Sequence, residues 1–236
     1  PSNGVGTPLD SLSRKRERGE GHALIMKRIL QLAFFLLVVR PVLLIILGVN
    51  VRGRENLPQK GPAVLVANHN SHLDTLTLMA LFPLKDLHRL RPAAAADYFL
   101  ANKWLKWFAF NIINIIPLAR GGVRKNPLAD LEAALDRDEI LILFPEGSRG
   151  EPEQRADFKR GVAYLAKARP DAPIYPVFMH GLGKALPRGS LILVPFNCDV
   201  IAGAPIRWSG DPQRFMGELE LKMTELAEQG HFQPWE

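Results

Sequence analysis

The segment Asn68-His69-Asn70-Ser71-His72-Leu73-Asp74 sets two histidines close to one carboxylate. Histidine is the side chain whose ordinary pKa lets it take and return a proton near neutral pH. His69 and Asp74 are five residues apart, and neighbours on one regular helix are three or four apart. They meet if His69 lies in a loop and Asp74 in the first turn of the following helix. A carboxylate on one imidazole nitrogen fixes the tautomer and leaves the other nitrogen to accept a hydroxyl proton. His72 and Asp74 would leave a helix from different faces, and the spacing of Ser71 marks no nucleophile. Asp74 as a plain helix cap below solvated histidines is the competing reading. A metal site of His69, His72 and Asp74 lacks a further ligand at a recognised spacing.

A second segment, Phe144-Pro145-Glu146-Gly147-Ser148-Arg149-Gly150, combines a turn, a hydroxyl and an arginine. Its glycines let backbone amides approach an anion. Arg149 can grip a phosphate through two parallel hydrogen bonds. Arg120, before Gly121-Gly122, is a second cation, and the two make a candidate phosphate clamp; ordinary surface arginines at turns are the alternative. Glu146 suits backbone amides, Arg149 or an acceptor hydroxyl.

Both segments need strands to present them. Ala63–Ala67 (AVLVA) reads as a buried strand running into His69, and Ile140–Phe144 (ILILF) as a buried strand running into Glu146. Further strands are expected at Ile112–Leu118, Ile174–Phe178, Leu191–Val194 and Cys198–Ile201. Helices are expected at Leu73–Leu81, Trp104–Phe110, Leu128–Leu135 after an Asn126-Pro127 start, Phe158–Ala168 and from Asp211-Pro212 to Glu228. Strands alternating with helices give an α/β fold with a largely parallel central sheet covered on both faces. The lone Cys198 excludes an internal disulfide and reads as a core residue.

Ahead of this domain lies an apolar run from Ile29 to Val49, about 30 Å long as one helix. Arg40-Pro41 interrupts it. A central arginine costs about 2.5–3.5 kcal/mol in a bilayer, and proline removes a helical hydrogen bond. The expectation is two half-helices, Ile25–Val39 and Pro41–Val49, as a membrane-embedded helical hairpin or kinked helix in one leaflet. No small-residue cleavage site follows, which disfavours a signal peptide. Residues 1–60 carry ten Lys/Arg against four Asp/Glu, while the remainder is balanced at twenty each. The basic excess flanks the apolar run, which points to an anionic lipid surface and away from nucleic acid. The chain opens at Pro1 without a methionine, as expected of a trimmed initiator or a partial chain.

Asn68-His69-x4-Asp74, Arg120, Phe144-Pro145-Glu146-Gly147-Ser148-Arg149 and Ile174-Tyr175-Pro176-Val177 together resemble the four ordered motifs of the glycerolipid acyltransferases. Within these the chain looks most like the 1-acyl-glycerol-3-phosphate acyltransferases, over about Val51 to Ile206. The resemblance implies transfer of a fatty acyl group from acyl-CoA or acyl-carrier protein to the free hydroxyl of a lysophospholipid, foremost 1-acyl-glycerol-3-phosphate to give phosphatidic acid. It implies His69 as base, Asp74 as its partner, and Arg120, Glu146, Gly147, Ser148 and Arg149 around the acceptor. It implies no metal and no cofactor beyond the thioester co-substrate. It also implies membrane association through an N-terminal two-helix element, and the basic flanks of the apolar run suit the cytoplasmic face of the inner or plasma membrane. The chain then divides into a flexible basic arm over 1–21, an anchoring element over 22–50 and an acyltransferase domain over 51–236. Ser148 stands where the family usually has threonine. Asn114 stands where its second motif usually begins with glycine, so a differently shaped loop is expected before Arg120. Lys103 and Lys159 fall near positions where the family often has lysines. Another lysolipid acceptor, or a non-catalytic membrane lipid-binding protein, are the alternative readings.

Overall fold

The computed structural model describes residues 8–96, 102–118, 128–147, 157–186 and 192–232, with the backbone alone for 8–20. Among these, seven strands form one sheet: β1 (Asn50–Arg52), β2 (Ala63–Ala67), β3 (Leu90–Ala95), β4 (Ile116–Leu118), β5 (Ile140–Leu143), β6 (Ile174–His180) and β7 (Asp199–Ala202). Their order is β1-β7-β6-β2-β5-β3-β4. From β6 to β4 every neighbouring pair is parallel; β7 runs antiparallel to β6, and β1 runs with β7. The described helices are α1 (Pro8–Phe34), α2 (Leu73–Ala80), α3 (Lys103–Phe108), α4 (Ala129–Asp136), α5 (Gly161–Ala168), α6 (Leu182–Ala185) and α7 (Pro212–Gln229).

The central strand β2 is buried at every position, as a strand covered on both faces must be. Its alternating side chains feed two cores. Leu65 and Ala67, with Ile140 and Ile142, join Leu78 and Met79 of α2 and the buried edge of the N-terminal run. Val64 and Val66, with Leu141 and Leu143, meet the apolar faces of α4, α5 and α7. Helix α7 starts where Asp211 accepts the N–H of Arg214 at 2.8 Å, with Pro212 opening the first turn. It buries Phe215, Met216, Leu219, Met223 and Leu226 at steps of one helical turn.

The apolar run is one helical element, not two halves parted at Pro41. Helix α1 continues through two wider π-type turns, Phe35–Val39 and Val42–Ile46, on either side of Arg40-Pro41. Both residues keep right-handed helical angles, φ -62°, ψ -45° for Arg40 and φ -59°, ψ -42° for Pro41. In such turns each N–H reaches one residue further back: Arg40 N–H bonds Phe35 O, and Leu47 N–H bonds Val42 O. The shifted register accommodates the donor that Pro41 lacks. Gln31, Phe35, Val39, Leu43 and Leu47 are buried, a repeat of four. A regular α-helix turns in 3.6 residues, so a four-residue stripe would drift around it. The wider turns rotate less per residue and hold this seam against the domain. The other faces stay outside: Leu37 is 71% and Ile45 82% exposed. Residues 21–46 are long and apolar enough to cross a membrane.

Arg40 finds its hydrogen-bond partner inside the domain. Its guanidinium donates to Phe82 O at 3.0 Å, and Arg54 donates to Leu81 O at 2.9 Å. These carbonyls close α2, and cations at a helix C-terminus meet its negative end.

Other elements differ from the expectations in extent. The helix begins at Pro8, inside the stretch read as a loose arm. Ile112–Leu118 is a strand only from Ile116, because Ala109–Ile113 is a π-type turn and Asn114 reverses the backbone. Residues 192–194 form no strand; Val194 N–H bonds Ala185 O at 2.8 Å. Strands β1 and β3 were not anticipated. The expected Asn126-Pro127 start lies outside the described residues.

Candidate active site

Strands β2 and β5 are parallel neighbours, with Val66 paired to Leu143. His69 and Glu146 each come three residues after that pair, so the two motifs leave the sheet side by side. Helix α2, after β2, packs on one face, and α5, after β5, packs on the other. Connections that leave adjacent strands toward opposite faces open a crevice at the strands' C-terminal ends.

His69 sits in that crevice. Its Nδ1 lies 2.9 Å from Asp74 Oδ2, and its side chain is 19% exposed. The acceptor carboxylate assigns the proton to Nδ1. Nε2 has no partner among the described residues. The ring stacks on Phe144, centroids 4.1 Å apart and planes at 19°. Asn68 anchors the loop: its side chain donates to Met179 O and accepts from Met179 N, both at 2.7 Å. This extends the ladder from β2 to β6 by one residue. Ser71 Oγ donates to Leu186 O at 3.1 Å, so it braces the loop.

Asp74 is 1% exposed and stands in the first turn of α2. Besides His69, its Oδ2 accepts the N–H groups of Asn70 at 2.7 Å and Ser71 at 2.8 Å. Three donors therefore converge on one oxygen. Burial pushes the Asp74 carboxyl above the ordinary carboxylate value; the His69 bond and charge, then the amides of Ser71 and Asn70, pull it back. Asp74 therefore bonds the imidazole and the amides of the loop entering α2; it is not the helix cap of the competing reading, since His72 occupies that position, with no capping bond from its side chain.

Glu146 is 3% exposed, and its Oε1 accepts the backbone N–H of His69 at 3.2 Å. A backbone-amide bond is one of the tasks open to it from sequence, and this one ties the second motif to the first. Gly147 has φ +73°, and the Lys159 side chain lies where a Cβ would project. The left-handed φ favours glycine there, whereas the flexible end of Lys159 can swing aside from a Cβ. Lys159 N–H bonds Pro145 O at 2.9 Å, placing that lysine beside the turn.

The structure thus brings His69, Asp74, Glu146 and Gly147 together. Arg120, Ser148 and Arg149 lie outside the described residues. His72 is exposed at the entry to α2, and Lys103 is exposed at the start of α3. Cys198 is fully buried. Among the described residues no group of three His, Cys, Asp or Glu side chains forms a metal-type cluster. Asn114 takes φ 64°, ψ 40°, the left-handed conformation glycine favours, and asparagine is the side chain that best tolerates it. Its Oδ1 also accepts from Lys27 at 2.9 Å and Arg91 at 2.7 Å. The expectation about the loop before Arg120 falls on residues outside the described ones. The stacking role of Phe144 and the bracing by Asn68 were not foreseen. The signal for Asn68 was an amide at the end of a wholly apolar strand, where a buried polar group must find partners.

A largely parallel α/β sheet with a histidine–carboxylate pair at the exit of a central strand defines the class of the molecule. The Acyltransferase family model matches residues 48–180, and the chain belongs to that family. It is 32% identical over 165 residues to the chloroplastic 1-acyl-sn-glycerol-3-phosphate acyltransferase of Arabidopsis thaliana, covering 68% of this chain and 44% of that protein. It is 28% identical over 180 residues to the 1-acyl-sn-glycerol-3-phosphate acyltransferase of Pseudomonas aeruginosa, covering 73% of this chain and 64% of that one. The chain therefore spans roughly two fifths to two thirds of these relatives. The crystal structure of the 1-acyl-sn-glycerophosphate acyltransferase PlsC from Thermotoga maritima shares the fold, with a TM-score of 0.67 at 20% identity, covering 93% of this chain and 85% of that one.

Proposed function

We propose that the chain is an O-acyltransferase that esterifies the free hydroxyl of a lysophospholipid, 1-acyl-glycerol-3-phosphate above all, with a fatty acyl group from acyl-CoA or acyl-carrier protein. The observation that carries this reading is His69, held by Asp74 through Nδ1 at 2.9 Å with its ring edge open to the crevice. Nε2 takes the proton of the acceptor hydroxyl as its oxygen attacks the thioester carbonyl. The tetrahedral intermediate collapses with cleavage of the C–S bond, and the imidazolium returns the proton to the leaving thiolate. An ester and a free thiol result. Asp74 fixes the tautomer and offsets the charge that develops on the ring. Phe144 and the Glu146 bond to His69 N–H hold the ring in place. Arg120 and Arg149 are assigned to the acceptor phosphate. The names of the relatives support the acceptor.

The domain works at a membrane surface in this reading. The seam from Gln31 to Leu47 docks along the domain, so the apolar segment lies on it with the outer faces toward lipid in one leaflet. The cytoplasmic leaflet is assigned from the basic flanks.

The test uses purified full-length protein, a panel of lysolipids and both thioester donors. His69→Ala should lower turnover by about 10²–10⁴-fold, while His72→Ala leaves most activity. A dead His72→Ala with an active His69→Ala overturns the assignment of the base. Turnover on every lysolipid except the phosphomonoester overturns the acceptor.

A further inference from the structure

Beyond the N-terminal run, a second element carries exposed apolar surface. Helix α3 is capped by Asn102, whose side chain accepts from the N–H groups of Trp104 at 2.8 Å and Leu105 at 3.3 Å. Trp104, Trp107 and Phe108 share one face by their spacing of three and four. Phe108 meets Phe34 of α1 edge-on, centroids 5.1 Å apart and planes at 86°. The two indoles are left outside, Trp104 at 81% and Trp107 at 48% exposure. Next to Phe34 runs the outer face of α1, with Leu30, Leu37 and Val38 at 38%, 71% and 47% exposure. The indole face of α3 and the apolar face of α1 therefore adjoin across the Phe34–Phe108 contact. Contiguous apolar surface of this kind marks a site of association.

We propose that α3 is a second lipid-contacting element, seating Trp104 and Trp107 at the headgroup level of an anionic leaflet beside the outer apolar face of α1. This inference rests on the membrane reading given above and adds a site to it. Charge selects lipid as the occupant. Residues 21–49 and 102–118 contain Lys27, Arg28, Arg40, Lys103 and Lys106 and no Asp or Glu. A second copy of the chain would set these cations against each other, whereas anionic headgroups complement them. Indoles combine an apolar body with one N–H donor, which suits the boundary between chains and headgroups. The lysines reach from the same helix to lipid phosphates. Two contacts on different segments fix the tilt of the domain, which one helix leaves free to roll.

The experiment uses the full chain, transferred from detergent to phosphatidylcholine vesicles with or without phosphatidylglycerol. The lipids carry bromine near the carboxyl end or near the methyl end of the acyl chain. Shallow bromines should quench tryptophan emission more than deep ones. Trp104→Ser/Trp107→Ser should remove most of that quenching and weaken partition onto vesicles about tenfold or more. Its thermal midpoint should stay unchanged, because both side chains are exposed. Lys103→Glu/Lys106→Glu should weaken binding to anionic vesicles by about fivefold per charge removed, and leave binding to neutral vesicles alone. Wild-type protein that binds while its quenching and affinity are indifferent to the tryptophan variant overturns the inference and leaves the membrane reading standing. So does an oligomer that dissociates on the same substitutions, which would make the face a contact between copies. Wild-type protein that ignores vesicles sinks both readings together.

Discussion

Asp74 should be replaceable without loss of fold but not without loss of activity, and two substitutions separate the effects. Its Oδ2 takes three donors: His69 Nδ1 and the amides of Asn70 and Ser71. Asp74→Ala leaves both buried amides without an acceptor at about 1–3 kcal/mol each, so about 2–6 kcal/mol of stability should go. Asp74→Asn keeps a carbonyl oxygen in the same place for those amides. It removes the charge that stabilises the imidazolium, so turnover should fall on the order of 10²–10⁴-fold. Stability should move the other way with pH. The carboxyl is raised above its ordinary value by burial, so the folded chain holds that proton more tightly than the unfolded chain. Stability from this group is present at acid pH, below the unfolded carboxylate value, and is lost as pH rises through the raised folded value. Asp74→Asn, which never ionises, should therefore gain on the wild type as pH climbs from acid to neutral. Thiol release measures turnover, and urea denaturation at several pH values measures stability. Near-wild-type turnover in Asp74→Asn refutes the proposed role. Equal stability of the Asn and Ala variants refutes the accounting of the amides.

Arg120→Ala and Arg149→Ala should each raise the acceptor KM about ten- to a hundredfold, from a charge-assisted contact of about 1.5–3 kcal/mol. The donor KM should hold, and Arg149→Lys should recover only part; kinetics varying each substrate separately decide it. Asn114→Gly should cost less stability than Asn114→Ala, which meets a left-handed penalty of about 1–2 kcal/mol on top of the lost Lys27 and Arg91 bonds; denaturant midpoints rank them. Deleting residues 1–49 should unfold the domain instead of liberating it. Phe35, Val39, Leu43 and Leu47 are in the core and burying each is worth about 1.5–3 kcal/mol, so far-UV and near-UV circular dichroism of the truncated chain should show a lost tertiary signal.

The His69–Asp74 pair was legible because both residues belong to one strand–loop–helix joint, and local chain geometry brings them together. For Glu146 a backbone-amide bond was among the tasks foreseen, but not that His69 would be the donor. That bond depends on β2 and β5 lying parallel in a register that pairs Val66 with Leu143. Strand β3 escaped notice since its sequence, Leu-Arg-Pro-Ala-Ala-Ala, combines a proline with residues of low strand preference. Its neighbours β5 and β4 impose the conformation. Arg40 misled for a related reason. Seen along the chain it is a charge in a greasy helix, and only the fold reveals Phe82 O, 42 residues later, as its acceptor. The four-residue seam was masked by the same run, where nearly every position is apolar and periodicity carries no contrast.

That seam separates two jobs on one helix. The side chains that hold the helix to the domain sit at 31, 35, 39, 43 and 47, and those that face outward sit between them. Replacing Leu36, Leu37, Leu44 and Ile45 with glutamate, lysine or glutamine would touch none of the docking contacts. A chain redrawn in this way should stay in solution without detergent and keep its site intact on monomeric, short-chain acceptors. On the function proposed above, it would keep the residues assigned to the reaction and lose the helix face assigned to the lipid surface.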